Sequence, residues 1–300
     1  MLRRYPWVCT RWVKEDRVTR AGRWMVLTGI ALLAGGCARR PGETRVPSGA
    51  GPVSKIELMV PCGQLGPFSE VAKLFEQANP GLKLEWGSEN MVTITKQILD
   101  GRARPDVFLS MGDLEMNQLQ QAGLLAEGTR TKYAENSLAL MVPVKNPGGV
   151  QTIADLAKPS VEIITIPDPE QNSVGKHALE ALHQAGLWDK VEKKIVIARF
   201  AADGKEVAAK GQAEATIAYY PCAVEVHVEG QPPVVPKDLK LVGPLSPDLY
   251  EEFSCEGAVL KGAENPEGGR KLLEFLASPQ SQEIFRKWSF VREAPKAGTG

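Results

Sequence analysis

Residues 55–90, KIELMVPCGQLGPFSEVAKLFEQANPGLKLEWGSEN, decide the fold. Lys55 to Pro61 carries apolar residues at 56, 58, 59 and 60 and stops at Cys62-Gly63, the pattern of a buried strand entering a tight loop. Gly66-Pro67 then places proline at a helix start. Phe68, Val71, Ala72, Phe75 and Ala78 recur at helical spacing until Asn79-Pro80 ends the run. Leu82 to Trp86 reads as a second strand, and Gly87 to Asn90 as the turn and cap before the next helix.

The same alternation continues outward. A helix is predicted from about Val92 to Leu99, a strand at Pro105–Ser110, a helix at Asp113–Gly123 with Leu114, Leu119, Ala122 and Leu124 on its apolar side, and a strand at Leu138–Val144. Helix and strand in turn imply an α/β fold with a parallel sheet flanked by helices, whose ligands bind at loops beyond the carboxyl ends of the strands. The loops at Cys62-Gly63, at Gly87–Asn90 and at Met111-Gly112 are therefore the ones to examine. After Asn146-Pro147-Gly148-Gly149 the pattern restarts. A short helix near Ile153–Ala157, a strand Val161–Ile166, a long helix from about Val174 to Ala185, strands Ile195–Ala198 and Ala215–Tyr220, and a helix capped by Asp203 between them make a second α/β unit. Gln231 to Pro236 reads as a linker, and the strand Gly257–Leu260 with the helices Pro266–Ala277 and Ser278–Trp288 returns to the first lobe. The expected division is lobe 1 at 54–143 and 252–292, lobe 2 at 144–251, and a tail at 293–300.

Composition bounds the partners. The chain is 43% hydrophobic and 24% charged, enough to bury a sizeable core, and its 36 basic and 36 acidic residues leave no positive excess for nucleic acid. Arg3, Arg4, Arg11, Lys14, Arg17, Arg20 and Arg23 precede an apolar run, Trp24–Ala34. That run is shorter than the roughly twenty residues a membrane-spanning helix needs, so residues 1–37 read as a signal peptide. It ends in Leu33-Ala34-Gly35-Gly36-Cys37, which resembles the lipobox of bacterial lipoproteins, with Cys37 as the lipidated residue. Residues 38–53, rich in Pro, Gly, Ser and Arg, read as a flexible tether.

Taken in order, Lys96-Gln97-Ile98 with Asp100-Gly101, Pro105 to Ser110, Asn136-Ser137-Leu138, Asp168-Pro169-Glu170 leading to Gly175, Leu187-Trp188-Asp189, Tyr219, and Ser278-Pro279-Gln280 before Glu283-Ile284-Phe285 resemble the periplasmic substrate-binding proteins of ABC importers, in particular their molybdate-binding branch. The resemblance covers about 55–290. It implies two lobes around a ligand cleft, two chain crossings as a hinge, and delivery of a small inorganic oxyanion to a membrane permease, with no cofactor and no enzymatic turnover. Carried over by position, the ligand contacts are Cys62 or Gly63, Ser88, Ser173 with Val174, and Tyr219, acting through hydroxyls and helix-terminal N–H groups. Glu89, beside Ser88, departs from that pattern, since a carboxylate facing the cleft repels a dianion.

Cys62, Cys222 and Cys255 each lie at or near a strand end, which leaves three readings open: a soft-ion site for a thiophilic metal or metalloid, a Cys222 to Cys255 disulfide, or unrelated small core residues. A different class, an exported thiol enzyme with Cys62 as nucleophile, lacks an evident base. His177 and His183, six apart on one helix, point to different faces and cannot chelate one ion together. No Gly-x-Ser-x-Gly, phosphate-cradling or His-Glu-x-x-His motif is present.

Overall fold

The computed structural model describes residues 54–223 and 237–292. The signal peptide with Cys37, the tether, the 231–236 linker and the tail lie outside the described residues. In the first half of the chain Ser54–Pro61 (β1), Leu65–Ala78 (α1), Leu82–Glu89 (β2), Met91–Leu99 (α2), Val107–Ser110 (β3), Asp113–Gln121 (α3) and Thr131–Glu135 (β4) alternate as the hydrophobic periods require. Leu138–Pro143 (β5), Ile164–Pro167 (β6), Ser173–Gln184 (α4), Trp188–Val191 (α5), Ile195–Ala198 (β7), Ala201–Ala209 (α6), Ala215–Tyr219 (β8), Tyr220–Ala223 (α7) and Leu239–Pro244 (β9) follow. Ser254–Val259 (β10), Pro266–Leu276 (α8) and Pro279–Lys287 (α9) close the described chain.

These strands form two five-stranded mixed sheets, ordered β2-β1-β3-β10-β4 and β7-β6-β8-β5-β9. In each, four strands run in one direction and a single strand, β10 in the first and β5 in the second, runs against them. β1 and β2 pair over eight residues, from Ser54 against Leu82 to Pro61 against Glu89, which carries β2 past the predicted end at Trp86. Ile56, Leu58 and Val60 alternate into the core and meet Phe68, Val71 and Phe75 of α1, the residues that repeat at helical spacing. Asp106 ties the open end of this sheet: its carboxylate accepts the Glu57 N–H at 2.8 Å and the Asn265 N–H at 2.8 Å.

One expectation is overturned. Leu138–Pro143, assigned above to the first lobe, pairs with β8 and β9 in the second sheet. The physical reason is the crossing itself. β4 leaves the first sheet at Glu135, Asn136-Ser137 form the step, and β5 enters the other sheet at Leu138. Asn136 fixes the step by donating to the Met111 carbonyl at 2.8 Å and accepting the Ser137 N–H at 3.0 Å. The return crossing, from β9 to β10, lies alongside: the Leu245 N–H reaches the Leu138 carbonyl at 2.8 Å, and the Tyr250 hydroxyl accepts the Leu138 N–H at 3.2 Å. Among the described residues no helix is long and apolar enough to cross a membrane.

Candidate functional site

The carboxyl ends of the parallel strands in both sheets face one cavity of about 310 Å³. From the first lobe its wall is Pro61 to Gly63 after β1, Asn90 to Val92 at the start of α2, Met111 after β3, and Gly66 with Trp288. From the second it is Asn172 before α4, Phe200 to Ala202 and Lys205 at the start of α6, and Tyr219, Pro221 and Cys222 after β8. Local sequence explains the placement. Pro61 ends β1, and Cys62–Gln64 form one 3-10 turn that runs straight into α1. The Asn90 side chain caps α2 by accepting the Thr93 N–H at 2.9 Å. The cap expected of Asp203 is not formed: Phe200 is the N-cap with no side-chain cap bond, and Asp203 lies inside the first turn of α6, which begins at the cavity wall.

The expected site residues divide. Cys62, Gly63, Tyr219 and Cys222 line the cavity. Gly63 fits only because it has no side chain: a Cβ there would lie 2.6 Å from the Cys222 sulfur and 2.7 Å from that of Met111. The Tyr219 hydroxyl is buried beside that of Ser173, and burial pushes its pKa well above the usual phenol value, against a pull from Ser173. Ser88 and Glu89 stand exposed at the end of β2 and do not line the cavity, and the Glu89 carboxylate accepts the Asn90 N–H at 2.8 Å. Its charge still acts on Cys62 in the cavity wall, where it raises the thiol's pKa.

Ser173 and Val174 are engaged elsewhere. The Val174 N–H is taken by the Asn172 side chain at 2.9 Å, and the Ser173 N–H by a Glu115 oxygen at 3.2 Å. The Ser173 hydroxyl donates to the other Glu115 oxygen and accepts the Leu114 N–H at 3.1 Å. The amino end of α4 thus holds a carboxyl group from α3 of the other lobe. Glu115 is fully buried, and that burial raises its pKa, against the Ser173 hydrogen bond, which lowers it. Next to it Asp113 binds Lys176 at 2.7 Å and His177 at 2.9 Å, while His177 also meets Glu180 at 2.8 Å.

A model of the family described as bacterial extracellular solute-binding protein matches residues 56–291. The chain belongs to that family. This solute-binding protein is 26% identical over 274 residues to the molybdate-binding protein ModA of Azotobacter vinelandii, covering 89% of this chain and 96% of the relative. The solved periplasmic molybdate-binding protein of Azotobacter vinelandii superposes with a TM-score of 0.63 at 19% identity, over 79% of this chain and 98% of the other. The sulfate-binding protein SubI of Mycobacterium tuberculosis superposes as well, with a TM-score of 0.64 at 15% identity over 79% of this chain and 86% of that one. The two-lobed fold of the ABC substrate-binding proteins is thereby shown.

The thiols of this solute-binding protein do not assemble into one centre. All three are free; Cys62 is exposed, Cys222 half-buried and Cys255 buried in β10, where the Asn136 amide approaches its sulfur at 3.8 Å. The described residues hold no group of three His, Cys, Asp or Glu side chains placed to bind a metal ion. Burial raises the Cys62 pKa and pushes that of Cys222 to about 11, each against an opposing pull from Lys205, and raises Cys255 further still. Neutral thiols are poor soft-metal ligands and poor nucleophiles. Among the described residues no histidine lines the cavity to serve Cys62 as a base: His177 is held between two carboxylates, and His183 lies against Trp188 with ring centroids 4.8 Å apart. Among the described residues neither thiol-centred reading finds its remaining partners. Asn172, Phe200 to Ala202 and Lys205 were not singled out from sequence. The signal was present, because Asn172 follows β6 and Phe200 to Lys205 follow β7, on the side where ligands bind.

Proposed function

We propose that this chain is the extracytoplasmic, lipid-anchored binding component of an ABC importer, and that it takes a small oxyanion of the molybdate and tungstate type in the interlobe cleft. The observation that carries this reading is the electrostatic character of the cavity wall: α1, α2 and α6 begin there, Lys205 and Tyr219 line it, and among the described residues no carboxylate lines it. Helix amino ends attract anions through exposed N–H groups and the helix dipole. At about 310 Å³ the space stands at the lower end of small-ligand pockets, roughly 300–1,000 Å³. The ModA relatives support molybdate in particular, since they are molybdate-binding proteins. Cleft residues Cys62, Gly63, Tyr219 and Lys205 are the proposed contacts, Cys37 the proposed anchor, a membrane permease the proposed partner, and capture and release without chemistry the proposed role.

A thermal-shift titration of the reduced protein against molybdate, tungstate, sulfate, zinc and arsenite tests this. A ligand at a hundred times its dissociation constant adds about 2.7 kcal/mol to stability. Stabilisation by molybdate or tungstate is the expected result. Stabilisation by zinc or arsenite alone rejects the oxyanion reading.

A further inference from the structure

Among the described residues lining the cleft, Lys205 carries the formal charge. It sits one helical turn beyond Ala201, so its stem rises on the same face of α6 as the first-turn amides. The ammonium donates to the Cys222 carbonyl at 2.8 Å, which uses one of its three protons and leaves two for a ligand. Its field reaches sulfur atoms on both sides of the cleft, that of Cys62 from the first lobe and that of Cys222 from the second. Meanwhile the amino end of α4, the other anion seat in this lobe, is filled by Glu115. Positive character in the second-lobe wall lies at α6, where the Lys205 charge stands on the cleft side and the Asp203 carboxyl of the first turn is not among the lining residues.

We infer that Lys205 is the specificity-determining residue of the cleft, selecting ligands by formal charge, so that its removal costs a doubly charged oxyanion more than a singly charged one of the same tetrahedral shape. The inference rests on the oxyanion reading proposed above. The physical basis is that the attraction between one fixed charge and a ligand is proportional to the ligand's charge, whereas contacts of shape and neutral hydrogen bonds are shared by both ions. If the dianion's interaction energy is about twice the monoanion's, the loss for the dianion is about the square of the loss for the monoanion.

The test titrates sodium molybdate and sodium perrhenate into the full-length protein and into Lys205→Gln, which keeps a donor for the Cys222 carbonyl while deleting the charge. The expected result is a loss of about tenfold or more for molybdate and about threefold for perrhenate. Lys205→Met, which keeps most of the apolar stem, repeats the measurement should the Gln variant melt below the assay temperature, and Lys205→Arg changes the absolute affinities while retaining the order of preference. Equal losses for the two anions mean a structural role for the side chain and overturn the inference, as does a variant that binds both as the parent does. Molybdate binding by the parent together with either of those outcomes removes this inference alone. A parent that binds neither anion removes the oxyanion reading and this inference with it.

Discussion

Glu115 contributes to stability with a sign opposite to that of an ordinary salt-bridged carboxylate. Its pKa is raised by burial, so the folded protein holds the proton at pH values where the unfolded chain, with a carboxyl pKa of about 4.3, has released it. Its stabilising contribution is therefore complete below that value and is lost as pH rises through the folded pKa. Glu115→Gln removes the titration, and its melting temperature is expected to gain on the parent's as pH goes from about 4 to 8. Parallel curves across that range dismiss the assignment. Neighbouring Asp113 does not interfere: burial opposes its charge, but the His177 and Lys176 contacts prevail and hold its pKa far below the usual carboxylate range, so it stays ionised throughout. Gly63 supplies a second test, of packing rather than charge. Gly63→Ala forces a methyl group against the sulfurs of Cys222 and Met111, and the expected cost is about 1–3 kcal/mol with a weakened ligand affinity. Melting and titration together check it, and an unchanged affinity would mean that Cys222 yields without moving the cleft wall.

At the scale of elements, the step at Asn136 is the joint on which the fold turns. Its side chain is buried and bonds to Met111 before α3 and to Ser137 at the entry to β5. Asn136→Ala leaves those groups without partners in a dry setting, and the expected destabilisation is about 2–3 kcal/mol in a denaturant titration with unchanged slope. A change within about 0.5 kcal/mol, the range of an ordinary surface substitution, would remove Asn136 from that role. This joint also marks how far the sequence could be read. The apolar spacing of Ile56, Leu58 and Val60 and of Phe68, Val71 and Phe75 placed β1 and α1, because burial of one face leaves a local period. Leu138 to Pro143 is buried along its whole length, and such a run announces a strand while saying nothing about which sheet receives it. Partner choice is non-local. The same holds in the site: Cys62, Gly63 and Tyr219 were legible from their places after strands. Lys205 looked like any solvated lysine on an amphipathic helix, and Glu115 like a polar-face residue, until the lobes were brought together.

At the scale of the whole molecule, the two lobes are joined by the two chain crossings and by the contact of α3 with α4. Asp113 and Glu115 reach from the first lobe to Ser173, Lys176 and His177 of the second, and the His177 ring stacks on Phe253 of the return crossing with centroids 4.2 Å apart and planes 12° from parallel. The α3–α4 contact therefore ties the lobe angle to the hinge. Asp113→Ala strips both Lys176 and His177 of a counter-charge. Asp113 is 22% exposed, so the expected cost is about 2 kcal/mol, below the 3–5 kcal/mol of breaking a fully buried pair. The lobes are expected to separate, seen as a larger radius of gyration in solution scattering. If only the closed arrangement binds ligand, the apparent dissociation constant rises by the inverse of the closed fraction, whatever the ligand's charge. Molybdate and perrhenate are then weakened by one common factor, in contrast to the unequal factors expected from Lys205→Gln. An Asp113→Ala variant with unchanged radius and affinity would show that the crossings alone set the lobe angle. Unequal losses would place the Asp113 effect in the electrostatics of the cleft rather than in its closure.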